Sequence, residues 1–227
     1  MREKSSVQSP AMAVPAADDT VIVAMNAEMV RKAARVHLDA LAGSRTAIMG
    51  EAYVRAFIDW FRQPEHGRIA LAAIDSHSAV VGYVIGAPLG YPRALSRHLA
   101  WIATAAVIAR PWLFFSQKFR NGVLDRLRFV LGGSRAHGAE PELPAPTLSL
   151  VAIGVSSAAR GKRIGLRLVQ AFEARARELH TGSLRLSTGS DNAVASRFYE
   201  RCGWRPFPAA IGLVYYFRIL DVDSEAE

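Results

Sequence analysis

Residues 148–165 read Leu148-Ser-Leu-Val-Ala-Ile-Gly-Val155-Ser-Ser-Ala-Ala-Arg160-Gly-Lys-Arg-Ile-Gly165. The apolar run at 148–155 predicts a strand, and a loop of small and basic residues follows it. A helix is predicted next, since apolar residues recur at helical spacing: Ile164, Leu168, Phe172, Ala176 and Leu179. A strand that enters a helix through such a loop directs backbone N–H groups and the positive end of the helix dipole at one point. The sequence therefore predicts an anion site suited to phosphate or pyrophosphate.

Basic residues add positive charge at the mouth of this site: Arg160, Lys162 and Arg163. A basic, glycine-containing loop is also found at ordinary helix starts, where it serves solubility, so the loop alone does not establish a ligand. The segments that follow add to the pattern. Leu184–Thr188 predicts a second strand, and a short helix after Asn192 is predicted to end at Gly203, a residue type favoured just beyond a helix.

In this order of elements the chain resembles the GNAT superfamily of N-acetyltransferases, which binds acetyl-CoA. The family pattern is strand, V-x-P-x-x-R-G-x-G-x-G, helix, strand, N-x-x-A-x-x-F-Y-E-x-x-G-F. Ten positions fall in register: Val155, Arg160, Gly161, Gly165, Asn192, Ala195, Phe198, Tyr199, Glu200 and Gly203. Trp204 replaces the final Phe. The resemblance covers roughly residues 20–86 and 147–220.

Two positions depart from the family pattern. Ser157 stands where the family has proline, and Arg163 stands where it has the middle loop glycine. We interpret Arg163 as an added contact to phosphate or ribose. The alternative is an arginine that is simply solvated.

The resemblance implies an α/β (α+β) fold, with a mixed, mostly antiparallel sheet flanked by helices. Residues 19–222 are expected to form a single acetyltransferase domain, between a flexible tail at 1–18 and an acidic tail at 223–227. Strands are predicted at 20–25, 68–74, 80–85, 148–155, 183–188, 204–207 and 213–220. Helices are predicted at 27–41 and 50–61, joined by a polar turn around 43–46.

An insertion at about 88–146 distinguishes this chain within the family. Leu95, Leu99, Ile102 and Val107 predict one helix there, and a second is predicted by Phe115, Phe119, Val123, Leu127 and Leu131. Residues 88–135 hold eight basic residues against the single acid Asp125, a net +7 out of the +8 of the whole chain. The eight are Arg93, Arg97, Arg110, Lys118, Arg120, Arg126, Arg128 and Arg135.

Several interpretations of this basic insertion stay open. It is a solvated face, or it contacts an anionic membrane, grips an anionic acceptor, or forms a homodimer. Trp101, Trp112 and the phenylalanines at 114, 115 and 119 accompany the charge and favour the last three. A membrane span is not expected, because the uncharged run from Leu99 ends at Ala109, short of the roughly 20 residues required. Nucleic acid is not expected either, since no motif accompanies the charge.

The resemblance implies which residues bind the cofactor. The set comprises Ile153, Gly154, Val155, Arg160, Gly161, Lys162, Arg163, Ile164, Gly165, Asn192 and Tyr199. Strand-edge groups of Ile153 and Val155 are expected to bond the pantetheine arm, and the loop to hold the pyrophosphate. By resemblance, Asn192 orients the cofactor and Tyr199 is the general acid near its sulfur. A phenol, with a reference pKa near 10, is protonated at neutral pH and can donate to a thiolate.

The general base is not evident from the sequence. Ser149 occupies the position where many relatives have Glu, and none of His37, Asp39, Glu51, Glu140 and Glu142 stands out. No spacing typical of metal ligands occurs, so no metal is expected. A lone Cys202 excludes an internal disulfide and favours a reducing compartment, which predicts a cytoplasmic protein, with peripheral contact at the inner face of the membrane as an extension.

The predicted activity is acetyl transfer from acetyl-CoA to an amine. The charge of the insertion favours a small acceptor that is anionic or membrane-associated, such as a nucleotide- or lipid-linked amino sugar, because a polycation would be repelled. One alternative is a protein N-terminal or other amine acetyltransferase. An alternative of another class is a coenzyme A-binding module without catalysis, against which Tyr199 and Asn192 argue.

Overall fold

The computed structural model describes residues 20–63, 67–110, 142–208 and 212–220. In these ranges seven strands form one sheet, in the order β1-β2-β3-β4-β5-β7-β6. The strands are β1 Val21–Ala24, β2 Ile69–Ile74, β3 Val80–Pro88, β4 Thr147–Val155, β5 Ser183–Gly189, β6 Arg205–Pro208 and β7 Leu213–Ile219. Only β4 and β5 pair in parallel, and the other neighbours are antiparallel. The predicted mixed, mostly antiparallel sheet is confirmed.

Six α-helices accompany the sheet in the described ranges. They are α1 Ala27–Ala40, α2 Arg45–Ile48, α3 Glu51–Arg62, α4 Tyr91–Ile108, α5 Ile164–Glu178 and α6 Ala193–Arg201. A 3-10 turn at Ser157–Ala159 lies between β4 and α5. None of these helices is long and apolar enough to cross a membrane.

The sheet has a hydrophobic core on each face. On one face α5 buries Leu168 and Phe172 against β2, β3 and β4. On the other face α1 and α3 bury residues such as Ala34 and Phe61, together with Tyr83 of β3. Each Å² of apolar surface removed from water contributes about 25 cal/mol to stability. These two hydrophobic layers are therefore the main source of the stability of the fold.

A β-bulge changes which face the side chains of β4 occupy. The register pairs Ile85 with Ala152 but Gly86 with Leu150, so Val151 is the extra residue. Because side chains alternate along a strand, one extra residue reverses the alternation. Leu150 and, beyond the bulge, Ile153 therefore both belong to the α5 face.

Strands β4 and β5 separate just before this bulge. Their parallel pairing covers only Thr147↔Ser183, Leu148↔Leu184 and Ser149↔Arg185. From residue 150 to residue 155, β4 is paired on its β3 side alone. The separation leaves a gap in the sheet that opens toward the loop at 156–163.

The short helix α2 was not predicted, because a polar turn was expected around 43–46. Ser44 begins the helix, and its side-chain oxygen accepts from the Ala47 N–H at 3.1 Å. A serine side chain can accept from a backbone N–H three residues later both at the start of a helix and in a turn. The sequence therefore did not distinguish a short helix from a turn here. Helix α4 begins earlier than the pattern of Leu95, Leu99, Ile102 and Val107 suggested, after Gly90 and with Pro92 in its first turn.

The remaining predictions for the insertion and the termini lie outside the described residues. These are the second inserted helix, the tails at 1–18 and 223–227, and therefore the exact domain limits. The described part of the insertion, α4, packs on α3. Ala106 and Met49 are buried in this contact, with Ala103, Val107 and Tyr53 around them.

Candidate active site

The edge of β4 that faces the gap carries backbone groups directed away from β3. The Ser156 N–H donates to the Val81 C=O at 2.9 Å, so Val81 and Ser156 form a hydrogen-bonded pair. Such pairs alternate with non-hydrogen-bonded pairs along an antiparallel ladder, and the next pair, Gly82↔Val155, is therefore of the second kind. The N–H and C=O of Val155, and by the same alternation those of Ile153, point into the gap. An extended chain with amide groups can bond to such an edge as an added strand would.

The loop after β4 requires left-handed backbone at two positions. Gly161 has φ +82° and Arg163 has φ +59°. The second position is the one where the family pattern has glycine, and a left-handed conformation at a residue with a Cβ costs about 1–2 kcal/mol. Arg163 is therefore held in the conformation that glycine would adopt freely, immediately before the first residue of α5.

Helix α5 begins with an uncapped end that faces a pocket. Arg163 is its N-cap residue and makes no side-chain capping bond. A helix of 15 residues without such a cap leaves N–H donors and a partial positive charge at its start. With Arg160 and Arg163 exposed beside it, this end of the helix suits a phosphorylated ligand.

The pocket at this helix end has a volume of about 430 Å³. Eleven residues line it: Val155, Ala159, Arg160, Gly161, Arg163, Ile164, Gly165, Leu166, Phe198, Arg201 and Cys202. A Cβ at Gly165 would lie 3.4 Å from the Phe198 ring, an ordinary van der Waals contact, so the start of α5 lies directly beside α6. The pocket thus lies between the loop that follows β4 and helix α6. These are the two segments on which the family resemblance rests.

Six of the eleven predicted cofactor residues line this pocket, namely Val155, Arg160, Gly161, Arg163, Ile164 and Gly165. Lys162 is exposed, does not line the pocket, and its charge acts on Asp75 of the β2–β3 turn. Gly154 is covered on the α1 face, where a Cβ would lie 2.7 Å from the Tyr83 ring. The absence of a side chain at Gly154 thus makes room for Tyr83.

Asn192 is the N-cap of α6. Its side-chain Oδ1 accepts from the Ala195 N–H at 3.1 Å, and the residue is exposed. This bond fixes the start of the helix that carries Tyr199 and Phe198. Asn192 is not among the residues that line the pocket.

Tyr199 is only 7% exposed, in α6, and does not line the pocket either. Its ring centroid lies 5.8 Å from that of Tyr216 and 6.0 Å from that of Trp204. Burial raises the pKa of the Tyr199 phenol above its usual value, so the phenol is protonated at neutral pH. Burial also raises the pKa of Tyr83, and an ionised Tyr199 would raise it further, so the two phenols share one electrostatic environment.

Five pocket residues were not predicted: Ala159, Leu166, Phe198, Arg201 and Cys202. Phe198, Arg201 and Cys202 stand inside the second family motif, and their spacing of three and four residues, which places them on one face of a helix, was the available signal. Burial raises the pKa of the Cys202 thiol, with Glu173 as a further cause. The thiol is therefore protonated at neutral pH, in accord with packing rather than nucleophilic chemistry.

Two of the candidate bases from the sequence, His37 and Asp39, have hydrogen-bond partners, and Glu140 lies outside the described residues. His37 is 1% exposed, and its Nδ1 lies 2.5 Å from the Tyr83 hydroxyl while Nε2 lies 2.6 Å from Oγ1 of Thr46. Burial lowers the pKa of His37 from 6.5 to about 4. Asp39 accepts from the Ser157 N–H at 2.6 Å, and Ser149 is buried within the sheet.

The part of the chain that the structure describes contains no group of three His, Cys, Asp or Glu side chains arranged to hold a metal ion. The described pocket offers backbone donors and arginines, and the buried, protonated phenol of Tyr199 lies on the adjoining helix α6.

An open β4 edge, a basic left-handed loop and an uncapped helix end on this fold suit a phosphorylated ligand with an extended, amide-containing arm. The sequence itself matches the Acetyltransferase (GNAT) family over residues 38–204, more than half of the chain. The chain belongs to this family of acetyltransferases, which use acetyl-CoA as the acetyl donor, and the predicted fold and enzyme class are confirmed. No curated protein matches the sequence.

Solved structures of acetyltransferases have the same fold. One is a polyamine N-acetyltransferase from Drosophila melanogaster, which forms N-acetylagmatine and is 16% identical to this chain. The match has a TM-score of 0.58 and covers 89% of this chain and 100% of that chain. A Corynebacterium glutamicum structure described as histone acetyltransferase HPA2 and related acetyltransferase is 19% identical, with TM-score 0.52 and coverage of 88% and 96%. Ard1 from Thermoplasma volcanium is 15% identical, with TM-score 0.53 and coverage of 89% and 98%. At these identities the likeness shows the fold alone.

Proposed function

We propose that this acetyltransferase transfers the acetyl group of acetyl-CoA directly to an amine of a small acceptor that is anionic or membrane-associated. A nucleotide- or lipid-linked amino sugar is such an acceptor. The observation that carries the choice is the concentration of charge in the insertion, where residues 88–135 contribute +7 to a chain of net +8.

The donor half of this proposal is supported by the pocket at the start of α5. Arg160 and Arg163 are the cations nearest to the helix end, and the backbone of Ile153 and Val155 presents donors and acceptors to the gap between β4 and β5. Positive charge and free N–H groups suit the pyrophosphate, and the strand edge suits the amides of pantetheine. Acetyl-CoA carries both kinds of group on one molecule.

We assign Tyr199 the role of general acid. The amine nitrogen forms a bond to the thioester carbon, and the carbon–sulfur bond breaks. The departing thiolate takes the phenolic proton of Tyr199, and the proton that the product nitrogen releases passes to solvent, from which the phenol is restored. Burial raises the pKa of Tyr199 and so keeps the phenol protonated at neutral pH, as a proton donor must be.

Helix α4 supports the acceptor half of the proposal. It contains Arg93, Arg97 and His98 and no acidic residue. Trp101 is 72% exposed and Ile108 is 75% exposed, and both follow Arg97 on the same helical face. A face with cations at one end and large apolar side chains at the other suits an anionic amphiphile better than a polyamine.

The experiment compares acetyl-CoA consumption with three acceptor classes: nucleotide-linked amino sugars, polyamines such as agmatine, and peptides with free N-termini. We expect the first class to be acetylated with the highest kcat/KM. A clear preference for agmatine, whose N-acetyl derivative is the product named for the Drosophila protein, would contradict the charge argument.

The role of α4 is tested with the Arg97→Gln/Trp101→Ala variant. Acceptor KM should rise, or binding to anionic vesicles should weaken, while acetyl-CoA affinity stays constant. Arg177→Gln is the charge-matched control, because Arg177 is exposed on α5, across the sheet from α4. If the variant instead changes only subunit association, the face belongs to a homodimer and the acceptor argument fails.

A further inference from the structure

Ser157 has a backbone N–H where the family pattern has proline, which has none. That N–H donates to Oδ2 of Asp39 at 2.6 Å, across 118 residues of sequence. Asp39 lies in the last turn of α1, on the opposite face of the sheet from α5. The bond therefore ties the first residue of the 3-10 turn to a helix of the other layer.

The position of Asp39 is unfavourable for α1 itself. An acidic residue in the last turn of a helix opposes the helix dipole, whose negative end lies there. Asp39 is exposed, yet hydrogen bonds from Ser157 lower its pKa, first from the backbone and then from the side chain, and the charge of Arg160 lowers it further. The ionised carboxylate is thus favoured by the loop and not by its own helix.

Helix α1 is a rigid support for this contact. Ala33, Ala34 and His37 are fully or almost fully buried against β3 and α3. The Ala40 Cβ lies 3.3 Å from where a Cβ at Gly154 would be, so the end of α1 rests directly on β4. Two hydrogen bonds hold the start of the loop where it follows β4. The Ser156 N–H donates to β3, and the Ser157 N–H donates to α1.

We propose that Asp39 is a positioning residue for the cofactor loop. Its carboxylate fixes the start of the 3-10 turn, as the restricted φ of a proline would, and so holds residues 160–165 in the conformation that receives the pyrophosphate. The role rests on the proposed use of acetyl-CoA and concerns a residue outside the pocket.

Loss of the Asp39 carboxylate has opposite effects under the two explanations of this contact. If Asp39 were only a surface acid beside Arg160, Asp39→Ala would remove a negative charge near an anionic ligand and tighten acetyl-CoA binding. If Asp39 positions the loop, the ligand must order the loop itself, and binding weakens. We expect the dissociation constant to rise about five- to tenfold, the lower end for a charge-assisted hydrogen bond on an exposed residue.

The second variant returns proline to residue 157. Ser156 has ψ 139°, inside the range that a residue before proline adopts, and Ser157 is the first residue of its turn, where proline is tolerated. In Asp39→Ala/Ser157→Pro the ring replaces the lost bond and no carboxylate obstructs it. We expect this double variant to recover acetyl-CoA affinity to within about twofold of the parent chain.

Asp75→Ala is the matched control. Asp75 is partly exposed, accepts from two backbone N–H groups, those of His77 and Ala79, and lies near Lys162, but its bonds stay within the β2–β3 turn. Calorimetric titration with acetyl-CoA should show unchanged or slightly tighter binding for this variant. Thermal unfolding of each apo variant reports whether the fold is intact.

The outcomes separate cleanly. Equal or tighter binding by Asp39→Ala overturns the proposal, and so does a double variant that stays as weak as the single one. Should Asp39→Ala fail to fold, Asp39→Asn keeps an acceptor oxygen and should weaken binding in the same direction by a smaller factor, and unchanged affinity there also overturns it. Absence of binding by the parent chain would instead refute the use of acetyl-CoA.

Discussion

The buried His37 predicts a specific pH dependence of stability. Burial lowers its pKa from 6.5 to about 4, and both ring nitrogens have hydroxyl partners, Tyr83 on one side and Thr46 on the other. In the unfolded chain the imidazole regains its ordinary pKa. Between pH 4 and 6.5 the unfolded state therefore binds more protons than the folded state, and the free energy of unfolding rises with pH across this window.

The magnitude follows from the two pKa values. Each unit of difference between the folded and unfolded pKa corresponds to about 1.4 kcal/mol of free energy of unfolding. A change of pH contributes only over the part of the range between pH 4 and pH 6.5 that it covers. Between pH 7.5 and pH 5 the His37 contribution to the free energy of unfolding should fall by about 2 kcal/mol. Above pH 6.5 it should be constant.

His37→Gln removes the titrating group and keeps an amide that can bond to a hydroxyl. Urea unfolding of the parent and the variant at pH 5, 6 and 7.5 measures the difference in their pH slopes. The variant is expected to be less stable at pH 7.5, because one buried hydroxyl loses its partner, and to lose about 2 kcal/mol less than the parent on going to pH 5. Parallel pH profiles would refute the reasoning, since His37 would then titrate alike in both states.

Three further variants test other parts of the site. Arg163→Gly should raise the free energy of unfolding by up to about 1 kcal/mol, because glycine adopts a φ of +59° without strain, and urea unfolding measures this gain. The same variant should weaken acetyl-CoA binding, because a cation is lost, and calorimetry measures that loss. Gly154→Ala should destabilise by about 1–3 kcal/mol, because the new Cβ would meet the Tyr83 ring at 2.7 Å, and a thermal shift would measure it. Tyr199→Phe should leave acetyl-CoA affinity intact and lower turnover by roughly 10²-fold; an unaltered rate, where chemistry is limiting, would make Tyr199 a packing residue.

The sequence was sufficient to predict the elements around the cofactor loop. The helical spacing of Ile164, Leu168 and Phe172 and the strand before it are local patterns, and the structure has α5 and β4 within a residue of the predicted bounds. The bulge at Val151 was not predictable in the same way. It depends on the register between β3 and β4, two strands that the whole insertion separates in the sequence.

Contacts between distant segments account for the other differences. The role of Gly154 depends on a ring from β3, and the partner of Ser157 is a carboxylate from α1. A sequence shows that Asp39 is acidic and that Ser157 replaces proline, but not that the two meet. Residue type therefore predicted the chemistry of the loop, and packing determined what holds it.

Arg110 shows how packing also changes the meaning of a charge count. The sequence places it among the eight cations of the insertion, yet its Nη1 donates to the Met49 C=O at 3.1 Å. Gly50 has φ +89°, and a Cβ there would lie 2.4 Å from the Arg110 guanidinium, so the turn between α2 and α3 is shaped around this side chain. Arg110 thus anchors the end of α4 to the layer that holds α1 and α3. Its charge serves the attachment of the insertion, and an acceptor on this side of the sheet would be attracted by Arg93 and Arg97, the other two described cations of the insertion.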